Sequence, residues 1–166
     1  GHVISVLKQS GIGIEQWLAS QNLDLAKLLE ADARVSVQQF DGLMKTVIES
    51  RGFEDLGLSV GKRLKIAHHG DFGLAISNSA TVRQVLDFHV KFLQIRVPLI
   101  KLNYHIKGLQ VHVVLTDEHW QGSLHRAVIE AVIIAIVNML HAIRFQDDSQ
   151  LIIDVVEFDY SKPNYV

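Results

Sequence analysis

At Pro98 the hydrophobic period of this chain changes from near 3.6 to two, and that switch most constrains its fold. Upstream, Val82, Val85, Leu86, His89, Phe92 and Leu93 keep the three-and-four spacing of one helical face, opened by Thr81 with Gln84 in a capping-box pattern. The stripe runs to about Val97, and Pro98 stops it. Downstream, Ile100, Leu102, Tyr104 and Ile106 alternate with Lys101, Asn103, His105 and Lys107. After Gly108, Leu109, Val111, Val113 and Leu115 alternate with Gln110, His112, Val114 and Thr116. Alternation of this kind predicts a hairpin with one apolar face, turning at Lys107-Gly108.

Ser123 to Arg144 then reads as a long helix, apolar nearly all round, as an element between a sheet and other helices must be. Its greasiest stretch, Ala127 to Ile143, contains Glu130, Asn138 and His141 and falls short of the ~20 apolar residues that a membrane helix needs. Leu151 to Phe158 reads as a last strand in a central position, apolar on both faces apart from Asp154 and Glu157.

The first half is helical. Ile14, Trp17, Leu18, Leu25, Leu28 and Leu29 fit two short helices interrupted around Asn22-Leu23-Asp24. Ser36 with Gln39 makes a capping box ahead of Phe40, Leu43, Met44, Val47 and Ile48, and Gly52 is placed to end that helix. Leu56, Val60 and Leu64 suggest another short helix, closed by a turn at His68-His69-Gly70. Helices first, then hairpin, helix and strand, define an α+β class: a mostly helical domain with its helices on one face of a small, mainly antiparallel sheet.

A chain of 166 residues is most simply one domain. Gly1 and His2 read as a tag remnant, leaving 3–166 as that domain. Without cysteine there is neither a disulfide framework nor a thiolate metal site, which fits a reducing, cytoplasmic setting. A formal charge of −2 excludes the electrostatic footprint of a protein that grips a phosphate backbone by itself. No signal peptide is visible, and no membrane association is expected.

Catalytic patterns fail one after another. Asp71-Phe72-Gly73 matches a kinase triplet without its companion loops, and Gly57 to Lys62 resembles a phosphate loop lacking one residue and the following Ser or Thr. No serine occupies a Gly-x-Ser-x-Gly elbow and no motif places a carboxylate pair, so an enzyme is not expected and no cofactor is called for. His68, His69 and Asp71 sit on a turn, where polar side chains are solvated, and are too close in sequence to surround an ion unaided. A turn at Lys107-Gly108 sets His105 opposite Gln110, with His112 its diagonal neighbour roughly 7–8 Å away. Those two imidazoles are candidate metal ligands, or simply residents of a wet sheet face.

On the long helix, Glu130, Asn138 and His141 fall within about 80° of one another at 100° per residue. This narrow polar track is a solvent-facing stripe, an internal ion pair or the lining of a pocket, since a buried carboxylate is costly unless paired. In the pocket reading, His89, Phe92, Arg96 and Tyr104 join Glu130, Asn138 and His141, because together they place polar groups among apolar walls.

One family carries these signatures in the same order. Trp17-Leu18-Ala19, Leu23-Asp24, Leu28-Leu29, Asp32-Ala33-Arg34-Val35, Leu56-Gly57-Leu58 with Gly61 and Leu64, then Gly73 to Thr81 and Val85-Leu86, together with Phe158, Pro163 and Tyr165, resemble the N-terminal regulatory domain of AraC/XylS-type transcription regulators, in the arabinose-binding-like subgroup. Gly73 to Ser79-x-Thr81 is the most distinctive segment. His68-His69 departs from the small or proline residues expected there, and Val85 replaces a usual alanine. The resemblance implies a sensor whose small-molecule effector controls a C-terminal domain with two helix-turn-helix units. It also implies a homodimer and contact with DNA only through that C-terminal domain, which this sequence does not contain. The rival readings are an oligomerisation module that fills its own pocket and a histidine-dependent metalloenzyme.

Overall fold

A computed structural model of the chain describes residues 2–9, 13–28, 30, 33–49, 53–143 and 155–165. Its elements run α1 (His2–Gln9), α2 (Ile14–Ala19), α3 (Leu25–Leu28), α4 (Val37–Ile48), α5 (Leu56–Arg63), a 3-10 turn (Ile66–His69), α6 (Asp71–Ser77), α7 (Val82–Arg96), β1 (Ile100–Lys107), β2 (Gln110–Asp117) and α8 (Gly122–Ala142). This is the expected α+β class. His2 lies inside the first helix.

The predicted caps form. Ser36 Oγ accepts from the Gln39 amide and Gln39 Oε1 accepts from the Ser36 amide, each at 3.1 Å, completing a capping box at α4. At α7, Thr81 Oγ1 accepts from the Gln84 amide at 3.2 Å, but the Gln84 side chain returns to the Ala80 amide instead. The α2–α3 break turns on Asn22, whose φ of 55° is one of the few left-handed values asparagine tolerates. Short α6 was not anticipated; it starts directly after Gly70, whose φ is also positive at 54°.

Three apolar clusters meet along α8. The first joins Leu7, Ile14, Trp17, Leu18, Leu43, Met44, Val47 and Leu56 of the N-terminal helices, with Leu124 and Ala131 of α8 against it. The second joins Ile76, Val85, Leu93 and Leu102 to Ala135, Ile136, Met139 and Leu140. The third joins Ile100 and Trp120 to Val128. With 21 residues, α8 is long and apolar enough to cross a membrane, but eight of its residues are buried inside the domain. Burying each large aliphatic side chain contributes about 1.5–3 kcal/mol, so α8 supplies much of the core.

The hairpin departs from expectation in one respect. Lys107 pairs with Gln110, so the two-residue turn is Gly108-Leu109, one position later than predicted. Gly108, with φ 62°, takes the first central position of the turn, where glycine meets no steric cost. Both registers set Leu102, Tyr104 and Ile106 opposite apolar residues, although the observed one places Ile100 opposite Asp117, and the glycine decides between them. Ile100 and Leu102 are buried at the base, whereas Ile106 is 41% exposed and Leu109 fully so. The helices therefore cover only the base of the apolar face. The expected last strand falls partly outside the described residues, at 151–154; 155–158 form no strand, and Val155, Val156 and Phe158 are exposed rather than central.

Candidate functional site

Glu130 and Asn138 of the polar track on α8 face inward, whereas His141 is exposed. Gly57 and Gly61, one turn apart on α5, lack the Cβ that would collide with α8, and this lets the two helices approach closely. A Cβ on Gly57 would stand 2.5 Å from the Ala127 carbonyl oxygen and 2.8 Å from Glu130 Cβ. A Cβ on Gly61 would stand 2.8 Å from Ile134 Cβ. Into this seam Asn138 donates from Nδ2 to the Gly61 carbonyl at 3.1 Å. Glu130, 2% exposed, lies above Gly57.

Glu130 is held by the C-terminal segment. The hydroxyls of Tyr165 and Tyr160 both donate to its Oε1, at 2.7 and 3.2 Å, while buried Oε2 has no hydrogen-bond donor among the described residues. The Arg126 guanidinium, one turn earlier on α8, lies 5.9 Å from the centre of each tyrosine ring. Burial first, and then the Glu130 charge, push the Tyr160 hydroxyl above its ordinary value. For Tyr165, burial and then the hydrogen bond to Glu130 do the same. Both tyrosines therefore remain neutral donors at any physiological pH. Of the readings open for the track, the solvent-facing stripe does not fit Glu130 or Asn138, and the partners found for Glu130 are hydroxyls.

A second polar point lies inside α7. His89 is 1% exposed, with Nδ1 2.8 Å from the Val85 carbonyl and Nε2 buried without a partner among the described residues. Desolvation holds its pKa below the ordinary histidine value, against the carbonyl hydrogen bond that raises it, with the nearby charge of His69 lowering it further. Phe72 stands edge-on to His89 at 5.2 Å and stacks flat on Phe92 at 3.8 Å, and His69 packs against both phenylalanines. His69 thus belongs to an aromatic cluster, and His68 Nδ1 accepts from the Lys65 amide at 3.2 Å.

The seven predicted pocket residues occupy several places. Glu130 and Asn138 share the α5–α8 seam, and His89 and Phe92 share the aromatic cluster. Tyr104 donates to Asp87 at 2.5 Å on the outer side of α7, and Arg96 and His141 are exposed. Two open concavities among the described residues lie elsewhere. One, of about 680 Å³, includes Asn22, Asp24, Lys27, Glu30 and Arg34 in its lining. The other, of about 220 Å³, is bounded by Pro98, Lys101, Thr116 and His119.

His105 and His112 are opposed directly in register, with parallel rings 4.8 Å apart and both side chains exposed. This replaces the predicted diagonal placement. No group of three or more His, Asp or Glu side chains suited to a metal occurs among the described residues.

Residues 11–166 match the family described as the arabinose-binding domain of AraC transcription regulators, N-terminal. The chain belongs to that family. Among curated proteins none matches it. The family is a ligand-sensing regulatory domain of transcription regulators and not a known enzyme family. Within this AraC-type domain, the tyrosines on Glu130 and the glycines beneath it were missed as site residues by periodicity. Gly57 and Gly61 were visible in a failed phosphate-loop pattern and as points of family resemblance, and Tyr165 only as the latter, because a contact spanning 35 positions has no local signature.

Proposed function

We propose that this domain binds a small-molecule effector, dimerises, and controls a C-terminal helix-turn-helix DNA-binding domain of a cytoplasmic transcription regulator. The observation that carries this reading is the family match over residues 11–166. The geometry supports it at Glu130. A carboxylate so deeply buried is costly to keep, and its Oε2 has no donor among the described residues while Oε1 anchors Tyr160 and Tyr165.

An effector that hydrogen-bonds Glu130 and Asn138 competes with Tyr160 and Tyr165, and so biases two arrangements of the C-terminal segment. His89, Phe92, Arg96, Tyr104 and His141 remain the further candidate contacts. Thermal-shift screening tests the proposal. A true effector raises Tm in the wild type, and alanine at Glu130 or Arg96 abolishes the gain; unchanged stabilisation in both variants removes the assignment.

A second reading, an oligomerisation module whose interior is filled by its own side chains, is favoured by one observation. The space between α7, the hairpin base and α8 is occupied by Val85, Leu93, Leu102, Ile136 and Met139. Sedimentation analysis that finds a stable dimer, combined with no effector response, would select it.

A further inference from the structure

Residues 155–165 take no helix or strand, and Val155, Val156 and Phe158 remain 70%, 43% and 38% exposed, so the segment is held to α8 mainly by polar contacts. One contact is unusual. His125 Nδ1 lies 3.0 Å from Asp117 Oδ2 at the end of β2, and its Nε2 lies 3.3 Å from Asp159 Oδ1 in the C-terminal segment.

A neutral imidazole has one N–H and one lone pair, so it can donate to only one of two carboxylates and turns its lone pair on the other. Only the imidazolium satisfies both. The two acids are not equivalent. The Asp117 side chain is wholly buried and its other oxygen already accepts from the His119 and Trp120 amides, whereas Asp159 is 77% exposed. When one proton is left, buried Asp117 keeps it and Asp159 loses its donor to water.

We propose that residues 155–165 form a strap across α8, fastened by protonated His125 and loosened when His125 gives up its proton. Desolvation of the ring lowers its pKa, but Asp117 and Asp159 together outweigh this and hold it above the ordinary histidine value of 6.5. The sign follows: the fastening is complete below the free histidine value and is lost as pH rises through the elevated one. The other groups around the ring do not interfere. Tyr160, edge-on at 6.3 Å, stays neutral because burial and Glu130 raise its pKa, and Arg126 beside it stays charged. Release therefore begins at Asp159, with the tyrosine contacts to Glu130 still in place, so a pH change alters the hold on the segment without dismantling the core.

Chymotrypsin cleavage of the whole chain after Phe158 and Tyr160, followed by mass spectrometry at about pH 6 and about pH 8.5 and corrected for the protease's rate on a free peptide of the same sequence, reads the strap directly. Protection at these two sites falls about tenfold at the higher pH, the loss of one charge-assisted bond, while that of α8 is unchanged. Asp159→Asn, at an exposed position, gives low protection at both pH values, and His125→Gln does the same. Wild-type protection that ignores pH, a pH response that persists in Asp159→Asn, or an equal loss of protection in α8 would overturn the proposal.

Discussion

Trp120 donates its indole N–H to Asp41 Oδ1 at 2.6 Å, joining the loop ahead of α8 to α4 across 79 positions of sequence. His119 approaches the other oxygen of the same carboxylate at 3.0 Å. Asp41 thus ties the loop from which α8 starts to a different helix, beside the contacts that Asp117 makes to the same loop. Asp41→Ala removes the acceptor for a buried indole and is expected to cost about 1–2 kcal/mol, whereas His119→Ala, at a more exposed pair, costs under about 1 kcal/mol. Urea denaturation checks both as midpoint shifts at constant slope.

The α5–α8 seam gives a prediction whose sign depends on what can yield. Gly57→Ala gains up to about 1 kcal/mol of helix propensity, but its methyl would meet the Ala127 backbone carbonyl 2.5 Å away. Backbone inside a helix cannot rotate aside, so the helices must separate, at about 1–3 kcal/mol. Net destabilisation follows, and Tm falls by several degrees in a chain of this size. Gly13→Ala, with nothing within 4 Å of the added carbon, is the steric control and costs at most about 1 kcal/mol, from the poorer N-cap that alanine gives α2.

Much of the fold was legible because period and caps are local. Thr81, Pro98 and the alternation from Ile100 to Thr116 fixed α7 and the hairpin without any knowledge of neighbours. The hairpin turn slipped by one because Ile106 faces an apolar partner in either register, and only the φ of Gly108 separates them. The inward direction of Glu130 was not legible at all. An apolar helix with three polar residues looks the same whether the track faces water or the glycines of α5, and the tyrosines that satisfy Glu130 arrive from 30 and 35 positions away.

His89 makes acid stability a measurable property of the aromatic cluster. Its folded pKa lies below the unfolded value, so the folded state keeps it neutral while the unfolded chain binds a proton more readily. Its contribution is complete above about pH 6.5, the unfolded value, and declines as pH falls toward the lower, folded one. His89→Leu, which cannot be protonated, should lose less stability than wild type between about pH 7 and pH 5 in parallel denaturation series. Equal slopes for the two proteins would show that His89 does not titrate differently on unfolding.

Glu130 separates the cost of a buried charge from the value of its hydrogen bonds. In Glu130→Gln the side-chain carbonyl still accepts from Tyr160 and Tyr165 while the desolvated charge disappears, so stability should stay within about 1 kcal/mol of wild type. Glu130→Ala leaves both hydroxyls without an acceptor and opens space above Gly57, and is expected to lose about 2–3 kcal/mol. Tyr165→Phe, which removes only the shorter of the two bonds, should lose about 1 kcal/mol. Combining Tyr165→Phe with Glu130→Ala then adds little to the alanine variant alone, because the bond that the second change deletes is already gone. If the two losses add in full, Tyr165 stabilises the protein through its ring against Arg126 and not through Glu130, and the carboxylate would no longer explain how the C-terminal segment is held.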